Sequence, residues 1–144
     1  GTVLAAKWYV LLDVAKLVPT SPLDLKAVRP DFVTLSFYKM FGMPAGLGAL
    51  LVRRDAIPIM RKSYFSGGTV LAARADEDVH VLREDFSARF EDGTPPVASI
   101  LSMRIGLRRL NALTMRSVEA HTHALRDYTA RTLEGLRHRG GGAC

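Results

Sequence analysis

Lysine is scarce in this chain, five residues against fifteen arginines, and one of the five, Lys39, lies between Tyr38 and Met40-Phe41 just after an apolar run. An ammonium flanked by apolar groups loses hydration, which favours the neutral amine and makes it a nucleophile toward a carbonyl. That is what a Schiff base requires. Without context the same residue is a surface lysine whose stem snorkels past Phe41. Asp13 closes an earlier apolar run and has no obvious cationic partner beside it. Pyridoxal phosphate chemistry needs this kind of pair, one lysine for the cofactor's carbonyl and one carboxylate that keeps its pyridine nitrogen protonated. At about 4 Å and an effective dielectric near 20, a carboxylate and a pyridinium attract by roughly 4 kcal/mol, enough to hold that proton. Taken alone, Asp13 is equally a strand-end acid that caps a neighbouring turn.

The elements that must position these two residues follow from the pattern around them. Trp8 to Asp13 is too short for a helix and rich in aromatic and branched residues, which predicts a strand buried on both faces. Ser21-Pro22-Leu23-Asp24 has a capping serine, proline at the first helical position and an acid three residues after the cap, and predicts a short helix around Pro22 to Val28. Asp31 to Ser36 reads as a second strand, Phe37 to Gly48 as a loop with three glycines and a proline, and Ala49 to Val52 as a third strand. Strand, helix, strand is an α/β pattern, and ligands in such sheets sit at the carboxyl ends of strands. Gly67 to Glu91 has little periodicity and reads as a long excursion with one short strand near Val79 to Leu82. From Val97 the pattern is helical. Ile100, Met103, Leu107 and Leu110 recur at three and four, as do Val118, Thr122, Leu125, Thr129, Thr132 and Leu136, with Thr114 as the cap between two helices. Gly140 to Cys144 has nothing able to pack and is expected to fray.

Composition bounds the class. With 144 residues, 48% of them hydrophobic and 24% charged, the chain has the balance of a globular protein. Charged residues interrupt every apolar run in the first half, so no membrane span is encoded. The single cysteine, Cys144, excludes an internal disulfide and makes an intracellular, cytoplasmic setting the expectation. The chain opens at Gly1 without an initiator methionine, which suggests a piece of something longer. A net charge of +6 raises the question of nucleic acid. The arginines cluster late, as Arg104, Arg108, Arg109 and Arg116 and then Arg126, Arg131, Arg137 and Arg139, without interleaved aromatics. Solvated helix faces or a subunit contact explain them better than nucleic acid does. Gly46-Leu47-Gly48 lacks the third glycine of a dinucleotide fingerprint, and Gly42 to Gly48 lacks the lysine and hydroxyl of a P-loop. His121 and His123, two apart on a helix, diverge by about 200° and do not share a metal.

Leu12-Asp13, then Ser36-Phe37-Tyr38-Lys39 with Gly42, Pro44, Gly46 and Gly48, then Arg89-Phe90-Glu91-Asp92-Gly93-Thr94-Pro95, together resemble the class V aminotransferase and cysteine desulfurase family. The separation of 26 positions from Asp13 to Lys39 suits that family. Thr20 to Leu25, Ser36 to Lys39, Gly46 to Val52 and Arg89 to Thr94 are most similar to its eukaryotic branch acting on the molybdenum cofactor, and the likeness weakens only after about Arg131.

The resemblance implies an α/β fold, part of the large domain of an aminotransferase-like enzyme with a mixed, mostly parallel sheet, over residues 1–139, followed by a disordered tail at 140–144. It implies pyridoxal 5'-phosphate as cofactor and Lys39 as the catalytic Schiff-base lysine. Asp13 would pair with the pyridine nitrogen. Ser36 would donate to the cofactor phosphate, and Thr94 would do so from the neighbouring subunit of a homodimer. Tyr38 stands where simple desulfurases usually have histidine, and Lys16 where they often keep a glutamine facing the cofactor's phenolic oxygen. The implied substrates are L-cysteine, which would leave as alanine, and the molybdenum cofactor, which would receive the sulfur for xanthine dehydrogenase and aldehyde oxidase. No metal, nucleic acid or membrane is implied. The phosphate loop, the small domain and the acceptor cysteine would lie outside this chain, Cys144 being a poor thiolate candidate, so the 144 residues alone are expected to be inactive. Another class V enzyme, such as a cysteine desulfurase or selenocysteine lyase, and a non-catalytic basic helical module are the alternatives.

Overall fold

The computed structural model describes residues 7–42, 46–138 and 140–141. Met43 to Ala45 of the glycine loop, Arg139 of the basic cluster and Cys144 lie outside the described residues, as does most of the tail expected to fray.

β1 (Leu11–Asp13), α1 (Leu25–Val28) and β2 (Phe32–Ser36) form a strand–helix–strand unit, with β1 and β2 parallel and Asp13 opposite Thr34. The antiparallel β3 (Gly48–Val52) pairs on the other side of β2, Gly48 opposite Ser36 and Val52 opposite Phe32. The result is a mixed three-stranded sheet with β2 at its centre. Its far end is tied by the buried Asp31. One oxygen of Asp31 accepts the Val10 N–H at 2.8 Å, and the other lies 2.7 Å from Arg53 Nη2. That single carboxylate links the entry to β1, the start of β2 and the exit from β3.

Three sequence expectations change. α1 is capped by Asp24, which accepts the Lys26 N–H at 2.8 Å, so the helix starts at Leu25, after Ser21 and Pro22. β1 is shorter than Trp8 to Asp13 and is not buried on both faces, Trp8 being 87% and Leu11 60% exposed. Burial on both faces needs a layer on each, and β1 is an edge strand of the described sheet while α1 buries none of its residues. Third, the segment read as a loop from Phe37 opens with a helix, α2 (Phe37–Phe41). Gly42 ends α2 in the left-handed region, φ 76°, with its N–H donating to the Tyr38 carbonyl at 2.8 Å.

After two 3-10 turns (Arg54–Ile59, Gly67–Thr69) the middle segment forms a hairpin, β4 (Val70–Ala73) and β5 (His80–Leu82), then α3 (Phe86–Phe90). β5 falls where a short strand was expected; β4 and α3 were not. α4 (Val97–Leu113) and α5 (Met115–Glu134) follow as predicted, and Thr114 caps α5 through its hydroxyl, which accepts the Ser117 N–H at 3.3 Å. Their apolar stripes are only partly covered: Met103, Leu110, Val118 and Thr122 are half-buried, whereas Ile100, Leu125 and Leu136 are exposed. The buried apolar side chains among the described residues are Val14, Val33 and Ala56. No described helix is long and apolar enough to cross a membrane.

Candidate functional site

Parallel pairing of β1 and β2 brings their carboxyl ends side by side, and this edge carries most of the candidate residues. Asp13 is the last residue of β1, Ser36 the last of β2, and α2 starts at once with Phe37-Tyr38-Lys39. Asp13 Oδ1 accepts the Ala15 N–H at 2.9 Å and the Thr34 hydroxyl at 3.1 Å. The first bond is the turn cap foreseen as the alternative role of Asp13, so the residue does cap its turn. It does so with one oxygen. Among the described residues Oδ2 makes no hydrogen bond and is left for a donor from outside. The carboxyl is held below its ordinary value, first by the Ala15 N–H, then by the Thr34 hydroxyl, with a smaller electrostatic pull from the Lys39 ammonium. Asp13 ends β1, and Lys39 follows the end of the adjacent parallel strand by three residues, in the first turn of α2.

Lys39 itself is exposed, and Tyr38 is 46% exposed. The flanking residues do not bury the amine as expected: Tyr38 faces solvent and Phe41 stacks on Phe37, ring centres 6.1 Å apart. Ser36 sits at the cap position of α2, half-buried, with no capping bond from its side chain. Thr34 was missed in the sequence. Side chains two apart on a strand share a face, so Ser36 at the strand end was the signal that Thr34 faces the same way.

Thr94 lies in a separate cleft of about 530 Å³ lined by Phe37, Gly46 to Leu50, Glu91 to Pro96, Ile100 and Met103. The cleft adjoins the strand end through Phe37 and Gly48 but is not lined by Asp13, Ser36, Tyr38 or Lys39. The structure thus gathers four of the five candidate residues at one edge and sets Thr94 beside it on an exposed turn, Gly93 having φ 75°. Lys16 is exposed on the turn that follows Asp13. α5 runs unbroken through His121 and His123, which keeps the two rings on different sides of the helix. The described arginines of α4 and α5 all face solvent.

Two residues before Thr94, Asp92 is anchored. Both oxygens of Asp92 are engaged, Oδ1 by Lys62 Nζ at 2.6 Å and Oδ2 by the Tyr64 hydroxyl at 3.0 Å. These bonds, that from Lys62 foremost, hold the Asp92 carboxyl below its ordinary range. Nothing in the sequence marks this cluster, since its halves are some 30 residues apart.

A donor set of one amine, one carboxylate with a free oxygen and hydroxyls on close backbone fits a pyridoxal phosphate site. Residues 2–140 match the Aminotransferase class-V family. Proteins named molybdenum cofactor sulfurase are 47% identical over 137 residues in Homo sapiens and 48% identical over 137 residues in Arabidopsis thaliana. These alignments take in 94% and 95% of this chain but 15% and 17% of the relatives, so the chain spans about a sixth of their length. Two solved cysteine desulfurases share its fold. One from Thermococcus onnurineus NA1 has a TM-score of 0.74 at 23% identity, covering 87% of this chain and 30% of the other. One from Escherichia coli has a TM-score of 0.78 at 22% identity, covering 90% and 31%. The α/β architecture is that of part of a cysteine desulfurase-like, aminotransferase-type fold, and the chain belongs to the class V aminotransferase family.

Proposed function

We propose that this chain is part of the cofactor-binding domain of a cytoplasmic, homodimeric sulfurtransferase that takes sulfur from L-cysteine, releases alanine and delivers the sulfur to the molybdenum cofactor of xanthine dehydrogenase and aldehyde oxidase. Residues 1–139 are its share of the domain and 140–144 a tail. The observation that carries the cofactor assignment is the placement of Asp13 at the end of β1 beside the parallel strand whose end leads directly into the Lys39-bearing α2, with the Asp13 carboxyl held below its ordinary value and one of its oxygens unbonded among the described residues. The branch assignment rests on 47–48% identity to proteins of that name.

Pyridoxal phosphate, when bound, supplies an electron sink that weakens bonds at the substrate's α-carbon and β-carbon. Lys39 Nζ is the amine that carries it. Asp13 would hold the protonated ring nitrogen, its Oδ1 being fixed by the Thr34 hydroxyl and the Ala15 N–H. The Ser36 hydroxyl, and the Thr94 hydroxyl from the partner subunit, would hold the phosphate group. Tyr38, exposed and next to Lys39 in α2, would be a further cofactor contact.

Borohydride reduction of the full-length polypeptide with pyridoxal phosphate should leave a stable pyridoxyl label on Lys39 that Lys39→Ala abolishes. Label on another lysine, or no label together with salt-sensitive nucleic-acid binding, would overturn the reading in favour of a basic binding module. Product assays separate the branch: cysteine-dependent sulfuration of the molybdenum cofactor is expected, and selenide or free sulfide release alone would point to another class V enzyme.

A further inference from the structure

Lys62 is the most enclosed charge of its neighbourhood. Its side chain is 4% exposed, and its ammonium is used up by three contacts: Asp92 Oδ1 at 2.6 Å, the Arg89 carbonyl at 3.0 Å and the face of the Tyr64 ring, whose centre lies 5.1 Å away. A buried ion pair is weak evidence for stability, because an apolar side chain of similar size often does as well there. What the pair does fix is geometry. Lys62 holds both the backbone at Arg89 and the carboxylate at Asp92, and Tyr64 holds the second carboxylate oxygen, so the segment 89–92 is pinned at two points. Gly93 then turns the chain at φ 75°, and Thr94 is the next residue.

We propose that Lys62, acting through Asp92 with Tyr64, is a positioning residue that sets the Thr94 hydroxyl for a phosphate group. The inference rests on the reading of Thr94 given above and adds to it the part of the chain that holds the hydroxyl in place. A hydroxyl bonded to a charged group contributes about 1.5–3 kcal/mol, or about 10- to 150-fold in affinity, only when it is correctly aimed.

The test compares pyridoxal phosphate with pyridoxal, which lacks the phosphate, by titrating full-length protein with each. Lys62→Met should weaken pyridoxal phosphate about tenfold while changing pyridoxal little, and Lys62→Arg should recover most of the loss. Tyr64→Phe, which removes one hydroxyl and keeps the ring, should give a smaller loss of the same kind, and it stands in for Lys62→Met if that variant does not fold. Adding Lys62→Met to Thr94→Val should cost nothing further. Equal weakening of both ligands, or losses that add in the double variant, would show a merely structural ion pair and overturn the inference while leaving Thr94 as a phosphate contact. If Thr94→Val itself leaves the preference for the phosphorylated ligand intact, the role of Thr94 fails and this inference fails with it.

Discussion

Gly106 lies in the middle of α4, where a Cβ would meet three ring atoms of Phe41 at 2.5, 2.6 and 2.7 Å. Ordinary contact begins at 3.4 Å, so the ring must retreat by about 0.9 Å to admit one methyl group. Two effects of Gly106→Ala oppose each other. Alanine gains about 0.5–1 kcal/mol over glycine inside a helix. Overpacking a well-fitted contact costs about 1–3 kcal/mol. The clash should win, leaving a net loss of about 1 kcal/mol and a fall in Tm of about 2–4 °C for a domain of this size class. Phe41 belongs to the five-residue α2 that carries Lys39, so the same substitution should also lower the rate at which borohydride traps a pyridoxyl label on Lys39. The assay is thermal unfolding of full-length wild type, Gly106→Ala, Phe41→Ala and the double variant. Once the ring is gone, Gly106→Ala should change sign and stabilise by its helix propensity. A stabilised Gly106→Ala in the wild-type background would refute the contact as drawn, and so would identical effects with and without Phe41.

The Asp13 carboxyl, held below its usual value of about 3.8 by the Ala15 N–H, the Thr34 hydroxyl and Lys39, binds fewer protons folded than unfolded. Its contribution to stability is therefore present above the unfolded pKa and lost as pH falls through the folded one; the stability gap between wild type and Asp13→Asn should close in that acid window, and carboxyl NMR should give a midpoint below 3.8 that rises in Thr34→Val. A midpoint at or above 3.8 would count against the bonding described. Thr114 is a β-branched residue at φ 64°, a conformation that costs a non-glycine residue about 1–3 kcal/mol. Its cap is worth only a few tenths of a kcal/mol relative to glycine, so Thr114→Gly should raise Tm and Thr114→Ala should lower it; a Tm that falls with both would remove the strain argument.

What the sequence made legible depended on the length over which a signal could accumulate. α4 and α5 supply several turns of apolar spacing, and Thr114 between them is a residue type that caps. β2 and β3 were placed to within a residue because glycines and charges bracket them. α2 and α3 are five residues each, little more than one turn, and a single turn has no periodicity to read. The burial of β1 was misjudged for a different reason. Apolar composition reports what a strand can tolerate on its faces, and which faces are covered is decided by other elements, so Trp8 and Leu11 stay exposed here. Lys39 repeats the point, since of the residues that flank it Tyr38 is itself exposed and Phe41 stacks on Phe37.

The site divides along the same line. Asp13, Thr34 and Ser36 are tied together by register alone: Asp13 stands opposite Thr34, and Ser36 is two residues further along the same face. A slip of one residue between β1 and β2 would turn the carboxylate away from both hydroxyls. The pairing is held at its other end by Asp31, which takes the Val10 N–H and Arg53 together. The carboxylate that sets the register is therefore buried at the far edge of the sheet, and the carboxylate that uses it stands at the open edge. Thr94 has no such frame. It reaches its place through a glycine turn and a lysine 30 residues from the aspartate it holds, contacts that no local pattern encodes. The resemblance alone named Ser36 and Thr94 as candidates, whereas Thr34 on the strand and the Lys62–Asp92 pair before Thr94 needed the folded chain.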